Sequence, residues 1–118
     1  KVTEHAHSKG LFYDMHCCGQ VENLIPAMIE AGVDSWSGQP MNDKGKLYHQ
    51  YGREILIGVD TPDIPEDMPE ETVYEIARKY AEEFLQPGAP AMIGFNSQIL
   101  NPVFFEAVYR YSRERLAE

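Results

Sequence analysis

Residues 11–34, LFYDMHCCGQVENLIPAMIEAGVD, contain the pattern that predicts the fold. The first part, residues 11–15, is a short apolar run after Gly10 and is typical of a strand. Apolar residues then recur at helical spacing up to Gly32; they are Val21, Leu24, Ile25, Met28 and Ile29. Because Pro26 lacks an N–H group, it predicts either a kink in this helix or a late start. The stretch therefore predicts one strand followed by one helix.

The same order of strand and helix recurs three more times along the chain. Strands are predicted at residues 33–38, 54–59 and 91–95, and helices at residues 43–51, 69–85 and from 102 onward. The short apolar strands predict burial on both faces, and the alternation predicts a parallel sheet with right-handed crossovers. The fold class is thus α/β, and two architectures fit it. One is an open four-stranded α/β sandwich, and the other is four consecutive units of an eightfold β/α barrel.

The last predicted helix begins at Asn101 and Pro102, a capping residue followed by a first-turn proline. Its apolar residues are predicted to face the core; they are Phe104, Phe105, Val108, Tyr109 and Leu116, with Ser112 on the same side.

Size, charge and cysteine content limit the function classes. With 118 residues and 43% hydrophobic composition, the chain suffices for one core, so residues 1–118 are predicted to form a single domain. A net charge of −9 repels phosphate backbones and anionic lipid, which excludes nucleic acid and membrane surfaces as expected partners. The only two cysteines are adjacent and cannot easily bridge to each other, which predicts a reducing, cytoplasmic setting.

Polar or aromatic residues follow each predicted strand. They are His16, Cys17, Cys18 and Gly19; Trp36, Ser37, Gly38 and Gln39; Asp60 and Thr61; and Asn96, Ser97 and Gln98. Because the carboxyl ends of parallel strands meet on one rim, these residues predict a site there. The candidates for substrate binding are Trp36, Gln39, Asn96, Ser97 and Gln98, and the catalytic candidate is Asp60. Two alternatives stay open, namely that Trp36 fills the interior and that Asp60 organises a turn.

His16 and Cys18 form a candidate pair of metal ligands. In an extended backbone the side chains of residues 16 and 18 point to one side, and that of Cys17 points to the other. Imidazole and thiolate together suit zinc, but a catalytic zinc site uses about three protein ligands and only two are visible here. The alternative is that both cysteines are small buried hydrophobes and that His16 is bonded to a neighbour.

Three longer segments carry a resemblance to a known family. They are MHCCGQVENLIPAMIEAGVDSW at residues 15–36, LYHQYGREILIGVD at 47–60, and ETVYEIARKYAEEFLQPGAPAMIGFNSQILNP at 71–102. Together they resemble the C-terminal half of the uroporphyrinogen decarboxylase superfamily over nearly the whole chain. The resemblance implies an eightfold β/α barrel of which this chain is the second half. The opening residues KVTEHAHSKG look like the tail of a helix, so the chain is expected to be a fragment. Its expected partner is the missing N-terminal half or a second copy.

The methyltransferase branch of this superfamily suggests the first of three functions. There the resemblance implies that His16 and Cys18 hold zinc, which activates a thiol acceptor, while a partner protein supplies a corrinoid carrying the methyl group. The chain departs from the family because no cysteine follows Cys18. The third ligand is therefore expected from the missing half or from Asp60. The other two functions are tetrapyrrole decarboxylation, as in porphyrin biosynthesis, and a non-catalytic half-barrel module for binding or assembly.

Overall fold

The computed structural model describes residues 1–94 and 101–117. Its elements are α1 (Val2–Ser8), β1 (Asp14–Cys17), a 3₁₀ turn (Glu22–Leu24), α2 (Ile25–Glu30), β2 (Ser35–Gly38), α3 (Lys44–Tyr51), β3 (Leu56–Asp60), α4 (Glu70–Phe84), β4 (Ala91–Gly94) and α5 (Pro102–Leu116). The predicted alternation of strands and helices is confirmed. Pro26 lies in the first turn of α2, so the prediction of a late start is the correct one. Within the described ranges, no helix is both long and apolar enough to cross a membrane.

The four strands form one parallel sheet in the order β1-β2-β3-β4. Met15 lies opposite Trp36, and Trp36 lies opposite Ile57. The register between β3 and β4 places Val59 opposite Ile93. The parallel sheet that the sequence predicts is therefore confirmed, with β1 and β4 as the edge strands of the described part.

Helices α2 to α5 pack on one face of this sheet. Trp36, Ile57 and Val59 belong to a single hydrophobic core with residues of α2, α3, α4 and α5. Alternate strand residues point to the other face, where Asp14 and His16 are exposed and the hydroxyl of Ser35 donates a hydrogen bond to Asp14. The two larger apolar residues of this second face, Leu56 and Met92, are partly exposed and lie outside the core. The prediction that the strands are buried on both faces is therefore wrong for the described chain.

Helix α5 has a buried face and a separate exposed apolar stripe. Asn101 caps the helix, as predicted, by accepting hydrogen bonds from the N–H groups of Val103 and Phe104. Phe104, Ala107 and Val108 are buried, with the Phe104 ring 5.5 Å from that of Tyr80 in α4. The exposed stripe consists of Phe105, Tyr109 and Leu116, whose exposures are 47%, 59% and 47%. The prediction that these three residues face the core is wrong.

Helix α1 is attached by side-chain hydrogen bonds to the end of the sheet where the strands begin. The Thr3 hydroxyl donates to the carbonyl of Ala31 at the end of α2. The ring of His7 lies with Nε2 2.7 Å from Oδ2 of Asp34, and the same oxygen accepts from the N–H of Tyr13 at 2.7 Å. These bonds place α1 at the amino ends of the strands, away from the rim that holds the candidate site.

Candidate functional site at the carboxyl ends of the strands

His16 and Cys18 lie together at the end of β1. Nδ1 of His16 is 2.9 Å from the carbonyl oxygen of Ser37, and Nε2 is 3.9 Å from Sγ of Cys18. Because a carbonyl only accepts hydrogen bonds, Nδ1 is the donor, and in the tautomer with its proton on Nδ1 the lone pair of Nε2 faces the thiol. The two predicted metal donors therefore share one side of the strand end.

Cys17 points away from this pair. It lies within β1 and is partly buried against the hydrophobic core, whereas Cys18 is exposed. This difference follows from the period of two along an extended chain. Cys18 is thus the thiol that a ligand at the rim can reach.

A buried asparagine, Asn42, joins the loop after β1 to the loop after β2. Its Nδ2 donates to the carbonyls of Gly19 and Gln39, both at 3.0 Å, and its Oδ1 accepts from the N–H of Val21 at 2.9 Å. The predicted site residue Gln39 belongs to the same network, because its Oε1 accepts from the N–H of Gly19 at 2.7 Å. That oxygen of Gln39 therefore holds the loop beside Cys18 in place.

Asp60, the catalytic candidate, ends β3 and is paired with a lysine that sequence analysis missed. Oδ1 of Asp60 accepts from Nζ of Lys44 at 2.7 Å, where Lys44 is 7% exposed and Asp60 is 32% exposed. If the strand register is continued past the last paired residues, the backbones of Asp60 and Cys18 lie at the same height along the sheet. The two residues are two strands apart, which corresponds to a backbone distance of about 10 Å.

The structure does not bring Asp60 into a metal-binding group with His16 and Cys18. Among the described residues, no group of three or more His, Cys, Asp or Glu side chains could hold a metal ion. The expectation that Asp60 supplies the third ligand is therefore corrected, because β2 separates the two strand ends. Of the other predicted residues, Asn96, Ser97 and Gln98 lie outside the described residues.

Trp36 occupies a different position from the one expected. Its ring is 0% exposed and belongs to the core between the sheet and the helices, on the face opposite His16. Its Nε1 has no hydrogen-bond partner in the described part of the chain. The expectation that this ring contacts a ligand at the rim is thus corrected, and the alternative of an interior packing role agrees with the structure.

Tyr80 of α4 brings a buried phenol close to the charged rim. Burial raises the pKa of Tyr80, and the negative charges of Asp60 and Glu83 raise it further. Within residues 1–94 and 101–117 its hydroxyl has no hydrogen-bond partner. Tyr80 therefore stays neutral and adds no negative charge beside Asp60.

Comparisons of the chain with family models, with curated proteins and with solved structures give no match. The chemistry open to the chain therefore follows from the geometry of the site. That geometry offers one imidazole lone pair and one accessible thiol at one strand end, and a carboxylate paired with a buried ammonium group at another.

Proposed function

We propose that this chain forms half of a β/α barrel of the uroporphyrinogen decarboxylase superfamily and takes part in corrinoid-linked methyl transfer to a thiol. The observation that carries the proposal is the pairing of His16 and Cys18, with Nε2 3.9 Å from Sγ. The resemblance of residues 15–36 to this superfamily supplies the reaction class. A partner protein would supply the corrinoid.

The donor set of His16 and Cys18 suits zinc. Bond lengths of about 2.0 Å to nitrogen and 2.3 Å to sulfur place two donors of a tetrahedral ion about 3.5 Å apart, close to the observed 3.9 Å. The hydrogen bond from Nδ1 to the Ser37 carbonyl is the second contact that metal-binding histidines usually make, because it fixes the tautomer and the ring orientation. When bound, zinc supplies a thiolate at neutral pH from a thiol that it coordinates.

The residues around this pair have separable roles in the proposal. His16 orients its lone pair, Cys18 provides the sulfur ligand, and Asn42 with Gln39 fixes the loop that follows them. Because Cys18 is exposed, the other coordination positions of a bound metal ion would be open to the thiol acceptor and to ligands from a partner.

The proposal of a half barrel is supported by the uncovered face of the sheet. Parallel sheets normally have both faces covered, by helices or by the closure of a barrel. Here one face packs against helices, while Leu56 and Met92 on the other face lie outside the core. The complement that we propose is a further set of β/α units, supplied by the N-terminal half of a complete barrel or by a second copy of the chain.

Cobalt binding tests the metal site. The chain and its Cys17→Ser and Cys18→Ser variants are titrated with Co²⁺ while the near-ultraviolet band of thiolate-to-cobalt charge transfer is recorded. We expect the band in the chain and in Cys17→Ser, which is the matched control, and its loss in Cys18→Ser. Equal spectra for the two variants would contradict the metal site and would favour the non-catalytic module.

A further inference from the structure

Lys44 is a buried lysine beside the candidate site, and the function proposed above does not use it. Lysine and aspartate side chains are rarely buried unless they are paired. Lys44 is 7% exposed and its Nζ lies 2.7 Å from Oδ1 of Asp60. The ammonium group therefore has a fixed position next to a carboxylate that is itself partly open to solvent.

The backbone of Lys44 is anchored by the same loop that binds the segment after Cys18. Its N–H donates to the carbonyl of Asn42 at 3.0 Å, and Asn42 in turn donates to the carbonyl of Gly19. Asp43 then caps α3 by accepting from the N–H of Lys46 at 3.1 Å. The position of the ammonium group is thus set relative to the loop that begins at Cys18.

Asp60 is close enough to Cys18 for its charge to act on a ligand bound there. With the register continued past the ends of the strands, the backbones of Cys18 and Asp60 lie two strand spacings, or about 10 Å, apart, so an unpaired charge at Asp60 acts on any ligand that approaches Cys18. Two further carboxylates lie near the rim, because Glu22 accepts from the N–H of Asp43 at 2.6 Å and Asp43 caps α3. Without Lys44, the negative charge of Asp60 would be unpaired and would add to the charges of Glu22 and Asp43.

We propose that Lys44 is a specificity-determining residue that cancels the charge of Asp60 and thereby admits neutral and anionic ligands to the rim that carries Cys18. The pairing matters because the chain has a net charge of −9, which repels anions in general. The inference deepens the proposed function, in which Cys18 lies in the path of the ligand, but it does not depend on a bound metal.

The reactivity of Cys18 towards charged reagents tests the inference. In a Cys17→Ser background and with a chelator present, Cys18 is modified by cationic trimethylammonium-ethyl, anionic sulfonato-ethyl and neutral methyl methanethiosulfonates. In each case the thiolate attacks the sulfenyl sulfur, forms a mixed disulfide and releases methanesulfinate. The measured quantity is the ratio of the cationic to the anionic rate constant, with the neutral reagent reporting accessibility.

We expect Lys44→Met to raise this ratio about four- to tenfold at low ionic strength, because it exposes the charge of Asp60 at about 10 Å. Asp60→Asn should lower the ratio, and the double variant should return it to the parent value. Lys46→Met is the matched control, since it removes the same charge from an exposed position on the same helix. All differences should shrink in about 1 M salt.

Two results would overturn the inference. One is a change in Lys44→Met no larger than that in Lys46→Met, and the other is a shift that persists undiminished in high salt. If circular dichroism shows that Lys44→Met does not fold, Asp60→Asn decides alone, since an unchanged ratio there also overturns the inference. A failure of cobalt binding would contradict the proposed metal site but not the role of Lys44, because every modification rate is measured on metal-free protein.

Discussion

Asp34 is a residue whose carboxylate holds two elements together. Its Oδ2 accepts from the N–H of Tyr13 and contacts Nε2 of His7. The hydrogen bond from Tyr13 is the larger cause that lowers the pKa of Asp34, and His7 lowers it further. Because the folded pKa lies below the unfolded value of about 3.9, the resulting stability is present above that value. It is lost as the pH falls through the folded pKa.

Asp34→Asn should therefore lower the urea midpoint at pH 7 and weaken the dependence of that midpoint on pH below about 4. The midpoints are measured from pH 2 to pH 7 by circular dichroism. Asp63→Asn serves as the control, because Asp63 is an exposed carboxylate in the loop before α4. An Asp34→Asn variant that keeps the full acid dependence of the parent would contradict the role given to this carboxylate.

At the same scale, sequence analysis could predict some site residues and not others. The side shared by His16 and Cys18 follows from local alternation along one strand, so it was predictable. Lys44 pairs with Asp60, 16 residues away, and Asn42 binds the carbonyl of Gly19, 23 residues away. No local pattern encodes such partners, because they depend on which strand ends the sheet brings together.

Helix α5 shows a limit of periodicity at the scale of an element. The sequence predicts one broad apolar face along it, and the structure buries only part of that face. The residues that line its groove against α4 include Tyr111 and Glu114. At 100° per residue, Phe105, Tyr109 and Leu116 lie on the opposite flank from that groove. Only the position of α4 decides which part of the face is buried.

Alanine substitution at neighbouring positions checks this assignment of faces. Phe104→Ala should reduce the free energy of unfolding by about 3–5 kcal/mol, since the side chain is 2% exposed and leaves a cavity beside Tyr80. Phe105→Ala removes the same atoms from the exposed stripe and should cost less than about 1 kcal/mol. Urea unfolding of both variants gives the comparison. Equal losses would mean that α5 packs in a different rotation.

For the whole molecule, sequence analysis predicted the α/β class and the parallel sheet but not the one-sided core. Short apolar runs such as residues 54–59 look alike whether one face or both faces are covered. The structure distinguishes the two cases, since Ile57 and Val59 are in the core and Leu56 is not. The choice between an open sandwich and half of a barrel depends on that difference, which only the packing of the helices reveals.

The one-sided core predicts unequal costs for adjacent residues of β3. Ile57→Ala should lower the free energy of unfolding by about 2–5 kcal/mol, because Ile57 is fully buried. Leu56→Ala should cost about 1–2 kcal/mol in the isolated chain, less than Ile57→Ala, since Leu56 is only partly buried and lies outside the core. Both values come from urea unfolding. If the losses are equal, the second face is covered in solution, and a partner or a second copy would have to be sought by sedimentation.

The burial of Trp36 gives the molecule its own optical probe. It is the single tryptophan of the chain, and its indole lies in the core behind the strand whose Ser37 carbonyl holds His16. Emission at short wavelength, typical of an indole in apolar surroundings, therefore reports that β2 is in place. A ligand that binds at the rim without moving β2 leaves this emission unchanged. Fluorescence thus distinguishes occupancy of the site from distortion of the sheet beneath it.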